Sequence, residues 1–344
     1  MKIDTYTTSS VFDELQHEWN DLLSQAYSDR VFLTCEWQSS WWQAYQPGDL
    51  WVLAVRNDQG QLVGLAPWFI KPGADDLRVV HTIGCVDVTD YLEVIAHKDC
   101  EAEVFAALAE FLKANLARFD KIDLCNIPQA STMLQHFPGV LRDQGFTVEV
   151  KQQEVCPVID LPPSFADYVN GLDKKDRHEL RRKMRKIDGI GEGVEWYIVG
   201  EEHDLSSELE NFLDLMRSAS QEKAEFLGDE RNLQFFRDIT SRAYAAGWLQ
   251  LAFMIINNKP AAAYLNFDYH NDILVYNSGL DLAVASNLSP GIVLLAYLIR
   301  HAIEKGRRRF DFLRGDEEYK YRMGGKDTDV FMLLATVPET IQSS

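Results

Sequence analysis

The sequence predicts an α/β protein, in the α+β sense, of two halves built alike, each a mixed, largely antiparallel sheet flanked by helices. Three observations predict it. At 344 residues the chain exceeds the size at which one hydrophobic core stops growing, so two domains are expected. Apolar periodicity switches repeatedly between the helical and the strand repeat. Each half also runs helices, then a hairpin or meander, then a long helix leading to a short strand with Asp: Lys121-Ile-Asp-Leu124 in one, Phe310-Asp-Phe-Leu313 in the other. We divide the chain at residues 1–155 and 156–344 and read the likeness as an ancient duplication.

In the first half, residues 9–26 place Phe12, Leu15, Trp19, Leu22 and Leu23 on one helical face. Thr34 caps a second helix carrying Trp37, Trp41 and Trp42. Residues 50–55 and 62–70 are strands joined by Asn57-Asp-Gln-Gly60, a hairpin signal. Further strands are expected at 77–83, after Asp75-Asp76, and at 91–95. An amphipathic helix at 101–117, a strand at 121–124, a helix at 131–144 ending near Gly145 and a strand at 146–150 complete this half. Three prolines within residues 156–163 mark the connection between domains.

In the second half, residues 165–187 read as one or two helices with a strongly basic face, broken by Gly189, Gly191 and Gly193. A strand at 194–199 and helices at 205–223 and 230–246 follow, the latter stopped by Gly247. Then the periodicity turns strand-like: 249–256, 261–269 and 273–279 are linked by Asn257-Asn-Lys-Pro260 and His270-Asn-Asp272, short enough to make an antiparallel meander. Pro290 and Gly291 open a helix over 292–305, capped by Gly306; strands at 309–313 and 330–337 end the chain.

Composition is that of an ordinary folded protein, 46% hydrophobic and 25% charged, with eight Trp and thirteen Tyr for cores and clefts. A net charge of −19 argues against indiscriminate binding to nucleic acid or anionic membrane. The five cysteines are scattered and never spaced Cys-x-x-Cys, the pattern of reduced, buried thiols, without a disulfide framework or structural zinc. The N-terminus lacks a basic region followed by an apolar one, and no apolar run approaches the roughly 18 residues that span a bilayer. A soluble, cytoplasmic protein without membrane insertion is expected.

Four constellations carry possible chemistry. Asn287-Leu-Ser-Pro-Gly291 precedes a helix whose unpaired N–H groups and dipole favour an anion, with Gly291 allowing close approach. Equally, Ser289 is a plain N-cap and Pro290 the favoured first helical residue. Beyond the next strand stand Asp311, Arg314, Gly315, Asp316, Glu317, Tyr319 and Lys320. An amine nucleophile must lose a proton and an oxyanion needs a cation, so Asp316 or Glu317 serves as base, Tyr319 as acid and Lys320 as cation. The alternative is a solvated helix start with dipole-matched charges. The basic run Lys174, Lys175, Arg177, Arg181, Arg182, Lys183, Arg185 and Lys186 suits a phosphorylated donor or an RNA stem, or is a solvated face. Arg181 and Arg185, four apart, are the pair expected to point into a cleft. Trp37, Trp41, Trp42 and Trp68 are read as core before substrate platform. His203, His270 and His301 lack ligand spacing, so no metal is expected, and no nucleophile elbow, dinucleotide fingerprint or phosphate-loop motif is present.

Several strings resemble a known family: Gly60-Gln-Leu-Val-Gly64-Leu-Ala-Pro67 in the first half; Lys259-Pro-Ala-Ala-Ala-Tyr264, Tyr276-Asn-Ser-Gly279-Leu-Asp281, Ser289-Pro-Gly291 and Phe310-Asp-Phe-Leu-Arg-Gly-Asp316-Glu-Glu-Tyr319-Lys320-Tyr-Arg322 in the second. The family is the CelD/BcsL-like branch of the GNAT acetyltransferase superfamily, related to the Fem-type peptidoglycan aminoacyltransferases. The likeness spans nearly the whole chain and is sharper in the second half. It implies tandem GNAT-like folds, with the acyl-donor site in the C-terminal one. The donor's pantetheine would lie along Tyr276, Asn277 and Ser278, and its pyrophosphate at Ser289, Pro290 and Gly291, where the superfamily's phosphate signature is reduced to Leu-Ser-Pro-Gly. In Fem-type relatives the donor is an aminoacyl-tRNA, and a lysine matching Lys320 steadies transition-state charge.

The resulting expectation is an N-acyltransferase moving an acyl group from acyl-CoA, such as acetyl-CoA, to an amine of a small or glycan-linked acceptor. Lys320, Asp316, Glu317 and Tyr319 would be catalytic, and Arg181, Arg185 and Arg314 would bind substrate. The alternatives are an aminoacyl-tRNA-dependent transferase, with tRNA as partner, and a non-catalytic GNAT-fold binding protein.

Overall fold

The computed structural model describes residues 1–73, 76–85, 88–281, 283–284 and 286–337. It separates into two compact units, Met1–Glu154 with the chain from Thr328 onward, and Val155–Asp327. The sequence division assigns the last strand to the second half; backbone pairing puts it on the first unit's sheet instead, with Leu333 opposite Leu124 and Leu334 opposite Asp123.

The first unit contains β1 (Lys2–Tyr6), α1 (Val11–Glu14), α2 (Gln16–Leu23), α3 (Cys35–Tyr45), β2 (Asp49–Arg56), β3 (Leu62–Pro72), β4 (Arg78–Thr82), β5 (Ile95–Ala96), α4 (Glu101–Ala114), β6 (Lys121–Pro128) and α5 (Thr132–Asp143). With the final strand, Lys326–Thr336, its sheet order is β1-β2-β3-β4-β6 and then that strand, β5 lying on β3. Only β4 and β6 run parallel among its registers. At the β2–β3 turn, Asn57 Oδ1 accepts from the amides of Gln59 and Gln61, and Gly60 supplies the positive φ. Trp37, Trp41, Trp42 and Trp68 are all buried.

Several elements differ from expectation. The first helix breaks into two at Leu15, and β1 precedes it. The strand at 91–95 shrinks to β5, where Ile95 and Ala96 pair with Leu65 and Gly64 of β3, while Leu92 makes a single bond to the Asn126 carbonyl of β6. Cys85 and Cys125 form a disulfide, against the reading of five reduced thiols; Cys35, Cys100 and Cys156 stay outside any disulfide. Asp75 lies outside the described residues.

The chain enters the second unit through β7 (Thr147–Asp160), which runs through the proline-bearing stretch read as a linker. Pro157 is tolerated because its carbonyl accepts from Phe312 N, and a carbonyl is the group proline keeps. The unit continues with α6 (Phe165–Gly171), α7 (Lys174–Asp188), β8 (Val194–Ile198), α8 (Leu205–Ala219), α9 (Gln221–Phe226), α10 (Glu230–Ala245), β9 (Leu249–Ile256), β10 (Lys259–Tyr269), β11 (Asp272–Leu280), α11 (Pro290–Glu304), β12 (Arg309–Asp311) and α12 (Glu318–Arg322); the final strand is then β13. Its sheet order is β7-β12-β11-β10-β9-β8. The meander β9-β10-β11 is antiparallel throughout.

Packing places two features of the site. Val293, Leu294, Leu295, Ala296, Leu298 and Ile299 are fully buried, so α11 is apolar all round and is a core helix, with its N-terminus emerging beside β10 and β11. Gly279 lets α8 lie against β11: a methyl there would meet Leu215 Cβ at 2.6 Å and Met216 N at 2.7 Å.

Candidate active site

The site begins with a gap in the sheet. β11 and β12 pair in parallel only from Asp272–Arg309 to Leu274–Asp311, and then part. On its other side β11 carries a bulge: Leu265 faces Asn277 and Asn266 faces Val275, leaving Tyr276 as the extra residue. The stretch 276–278 therefore has a twisted backbone and lies beyond the last register pair with β12. At the Gly291 end of α11, an added methyl would lie 3.3 Å from Leu280 Cδ1 and 3.9 Å from Tyr264 Oη. Ser289 occupies the N-cap position in the left-handed conformation (φ 56°, ψ 54°) and makes no side-chain cap bond. The turn before it is held from α7, whose Lys186 Nζ donates to the Asn287 carbonyl at 2.8 Å.

On the far side of the gap the chain after β12 folds into a carbonyl cage. Asp311 Oδ1 accepts from Leu313 N, Leu313 is left-handed (φ 58°) and Gly315 has φ 107°. These turns aim three carbonyls at one point. Lys320 of α12, 2% exposed, fills it. Its Nζ donates to Arg314 O at 2.6 Å, Gly315 O at 3.1 Å and Leu313 O at 3.3 Å, and pairs with Glu317 Oε2 at 2.9 Å. An ammonium has three N–H donors, so this cation is fully engaged. The Glu317 side chain is 57% exposed and faces outward.

A second lysine comes to the same place. Ser220 adopts an extended conformation that ends α8, and its Oγ caps α9 by accepting from Lys223 N. Lys223, half-buried, then reaches β11, with Nζ 2.6 Å from Ser278 O and 3.3 Å from Ser278 Oγ. Burial pulls its ammonium down to about 8, opposed by Glu317 and Glu222. Tyr319 and Tyr264 flank the opening. Burial, then Glu317, raises Tyr319; burial, then Tyr319, raises Tyr264, so both phenols stay protonated at neutral pH. Tyr319 also lines a cavity of about 60 Å³ with Leu180, Lys183, Ile292 and Met323.

Residues 174–321 match the model of the acetyltransferase (GNAT) domain. That region is a GNAT-type acyltransferase domain. No curated protein matches it. Among solved structures, it is similar to FemX, with 12% identity, TM-score 0.64 and coverage of 96% of this chain and 97% of that one. A conserved protein of unknown function from Bacteroides thetaiotaomicron VPI-5482 gives 13% identity and TM-score 0.61, covering 98% of this chain and 100% of that one. L-PGS from Bacillus licheniformis gives 12% and 0.54, covering 94% and 92%. At such identities the likeness is one of fold.

The matched GNAT region holds every residue given a catalytic, donor-binding or substrate-binding role from the sequence. Tyr276, Asn277 and Ser278 line the gap, and Asn277 Oδ1 accepts from Ser278 N. Glu317, Tyr319 and Lys320 meet there; Asp316 is exposed and Arg314 half-buried on the same loop. The basic helix turns out differently. Arg181, expected in a cleft, is exposed and donates to Asn170 Oδ1 at 2.8 Å. Arg185 is exposed along a shallow groove with Lys175, His178, Arg182 and Arg322. Lys183 is the basic residue of α7 that reaches the cavity beside Tyr319, because the helix turns its Leu180–Met184–Ile187 stripe inward. Sequence reasoning missed Lys223 altogether. The one signal was Ser220, a good cap inside what reads as a continuous helix. Among the described residues no helix is long and apolar enough to cross a membrane, and no group of three or more His, Cys, Asp or Glu could hold a metal ion.

Proposed function

We propose that the second unit transfers an acyl group from acyl-CoA, acetyl-CoA being the simplest, to an amine of a small or glycan-linked acceptor. The observation that carries this reading is the stretch of β11 past its last register pair with β12, set beside a helix N-terminus whose first N–H belongs to Gly291. Pantetheine amides are peptide-like and would bond the strand at 276–278, while the diphosphate meets the α11 N-terminus, where Pro290 has no N–H and Gly291 is the first donor. The acceptor amine attacks the thioester carbonyl directly. Its proton passes to Glu317, whose carboxylate is the exposed one beside the gap, and Tyr319, held protonated, returns a proton to the leaving thiolate. Lys320 acts through the loop: its ammonium fixes carbonyls 313–315 and the Glu317 carboxylate in place.

Calorimetry with coenzyme A and acetyl-CoA tests the donor. Binding is expected for the native chain and loss of binding for Gly291→Val, whose branched side chain would press on Leu280 and Tyr264. Absence of heat with the native chain overturns the reading.

The exposed basic face of α7, anchored to the Asn287 turn by Lys186, favours a second reading, an aminoacyl-tRNA donor as in Fem-type enzymes. A gel shift with charged tRNA that weakens steeply with salt would support it, since phosphate contacts release counterions. Neither heat with thioesters nor a shift with tRNA would leave the non-catalytic binding protein.

A further inference from the structure

We propose that Lys223 is itself an acyl acceptor: its Nζ takes the acyl group from a thioester held along β11, leaving an acylated lysine in the cleft. This inference rests on the donor reading above.

The break at Ser220 gives α9 its own start and turns Lys223 onto β11. Its Nζ lies 2.6 Å from the carbonyl of Ser278, two residues past the Tyr276 bulge and beyond the last register pair with β12. A thioester arm paired with this stretch would bring its carbonyl carbon close to Nζ, and proximity of that kind replaces a bimolecular encounter.

The two lysines differ in how fully their donors are engaged. Lys320 is 2% exposed and its three donors face three carbonyls and Glu317, so no lone pair can be presented without dismantling the loop. Lys223 holds only the two oxygens of Ser278. A neutral amine can keep both bonds with its two N–H groups and still offer its lone pair. The charged groups facing it are Glu317, from the loop before α12, and Glu222 of its own helix, with Lys320 behind Glu317. Its ammonium, pulled down to about 8, supplies an appreciable neutral fraction in mildly alkaline solution.

The step balances without any redox change. Nζ attacks the thioester carbon and the C–N bond forms. The C–S bond then breaks. One Nζ proton goes to Glu317, and the thiolate is protonated by Tyr319 or solvent, giving an amide and a free thiol. Because the product is an amide, it persists as a modification. It removes the positive charge beside Glu317 and loosens the hold on Ser278.

The full-length chain incubated with acetyl-CoA and no added amine, followed by peptide mapping in a mass spectrometer, tests this. Lys223 is expected to carry acetyl before the exposed Lys174 and Lys175, at a rate that rises between pH 7 and 9. Release of one thiol per chain is expected, and it should vanish in Lys223→Arg. Glu317→Gln should slow the mark several-fold. Lys223 unmodified, or modified no faster than Lys174 and Lys175, overturns the proposal. Calorimetry in parallel tells the two failures apart: heat with coenzyme A but no mark sinks this inference alone, whereas neither heat nor mark sinks the donor reading as well.

Discussion

A buried ammonium is tolerated only where its donors are met, and Lys320 shows how far this chain goes to meet them. Replacing Lys320 with Met leaves the carbonyls of Leu313, Arg314 and Gly315 without a donor. Loss of about 2–4 kcal/mol of unfolding free energy in urea is expected. Glu317→Gln, at an exposed carboxylate, should cost less than about 1 kcal/mol. Equal losses for the two would mean that the cage does not hold the loop. The sequence put a cation at Lys320 by its place in Gly-Asp-Glu-Glu-Tyr-Lys, but gave no sign of its cage. That depends on Leu313 adopting a left-handed conformation, which a leucine takes only when its surroundings impose it. Lys223 was still less legible, since its partner Ser278 lies 55 residues away in sequence.

Elements explain which residues at the site are held by their own helix and which are left for a ligand. Thr34 is a true cap, accepting from Trp37 N, and Thr34→Ala should cost about 1–2 kcal/mol. Ser289 sits at the cap of α11 without capping it, so Ser289→Ala should change stability by less than about 0.5 kcal/mol. A loss as large as that of Thr34→Ala would show Ser289 to be a cap in solution and weaken the case for an anion site there. At Gly279, Ala would press its methyl into the backbone of α8; a loss of about 2–3 kcal/mol by denaturant titration is expected. Helices and strands with one clear period were readable in advance: α4, α5, α10, α11 and the β9-β10-β11 meander. The failures share one cause. The prolines of 156–163 suggested a linker, yet β7 runs to Asp160, because Pro157 needs only its carbonyl on the β12 side.

The molecule as a whole has two cores, and the first carries two buried groups with opposite pH dependences. His81 is pulled down to about 4, chiefly by burial and then by Lys71. Its neutral form is the native one, so the unfolded chain binds more protons between about 4 and 6.5, and stability falls as pH drops through that range. Glu93 is pushed up to about 7, chiefly by burial, while Arg30 and the Ser131 hydroxyl oppose it. Here the native state binds more protons between 4.5 and about 7, so stability falls as pH rises through that range. Glu93→Gln keeps an oxygen for Ser131 and removes the titration. Its stability relative to the native chain should therefore grow with pH, by about 3 kcal/mol from pH 4.5 to 7. A difference that stays flat across those pH values, measured by urea unfolding, would refute the assignment. The net charge of −19 belongs to the same scale and is not evenly spread: α7 alone gathers eight of the Lys and Arg named from the sequence, most of them exposed.

By itself the sequence determined what local chemistry determines: the period of each element, the turn residues, the order meander–turn–helix–strand, and the strings that mark a GNAT domain. The tertiary structure alone decided which strand the chain's last segment joins, which of the basic residues on α7 turns inward, that Cys85 bonds Cys125, and that Lys223 and Lys320 converge on Glu317. Each of these depends on contacts between residues far apart in the chain, whose geometry is fixed by how buried faces pack and by backbone strain that packing enforces.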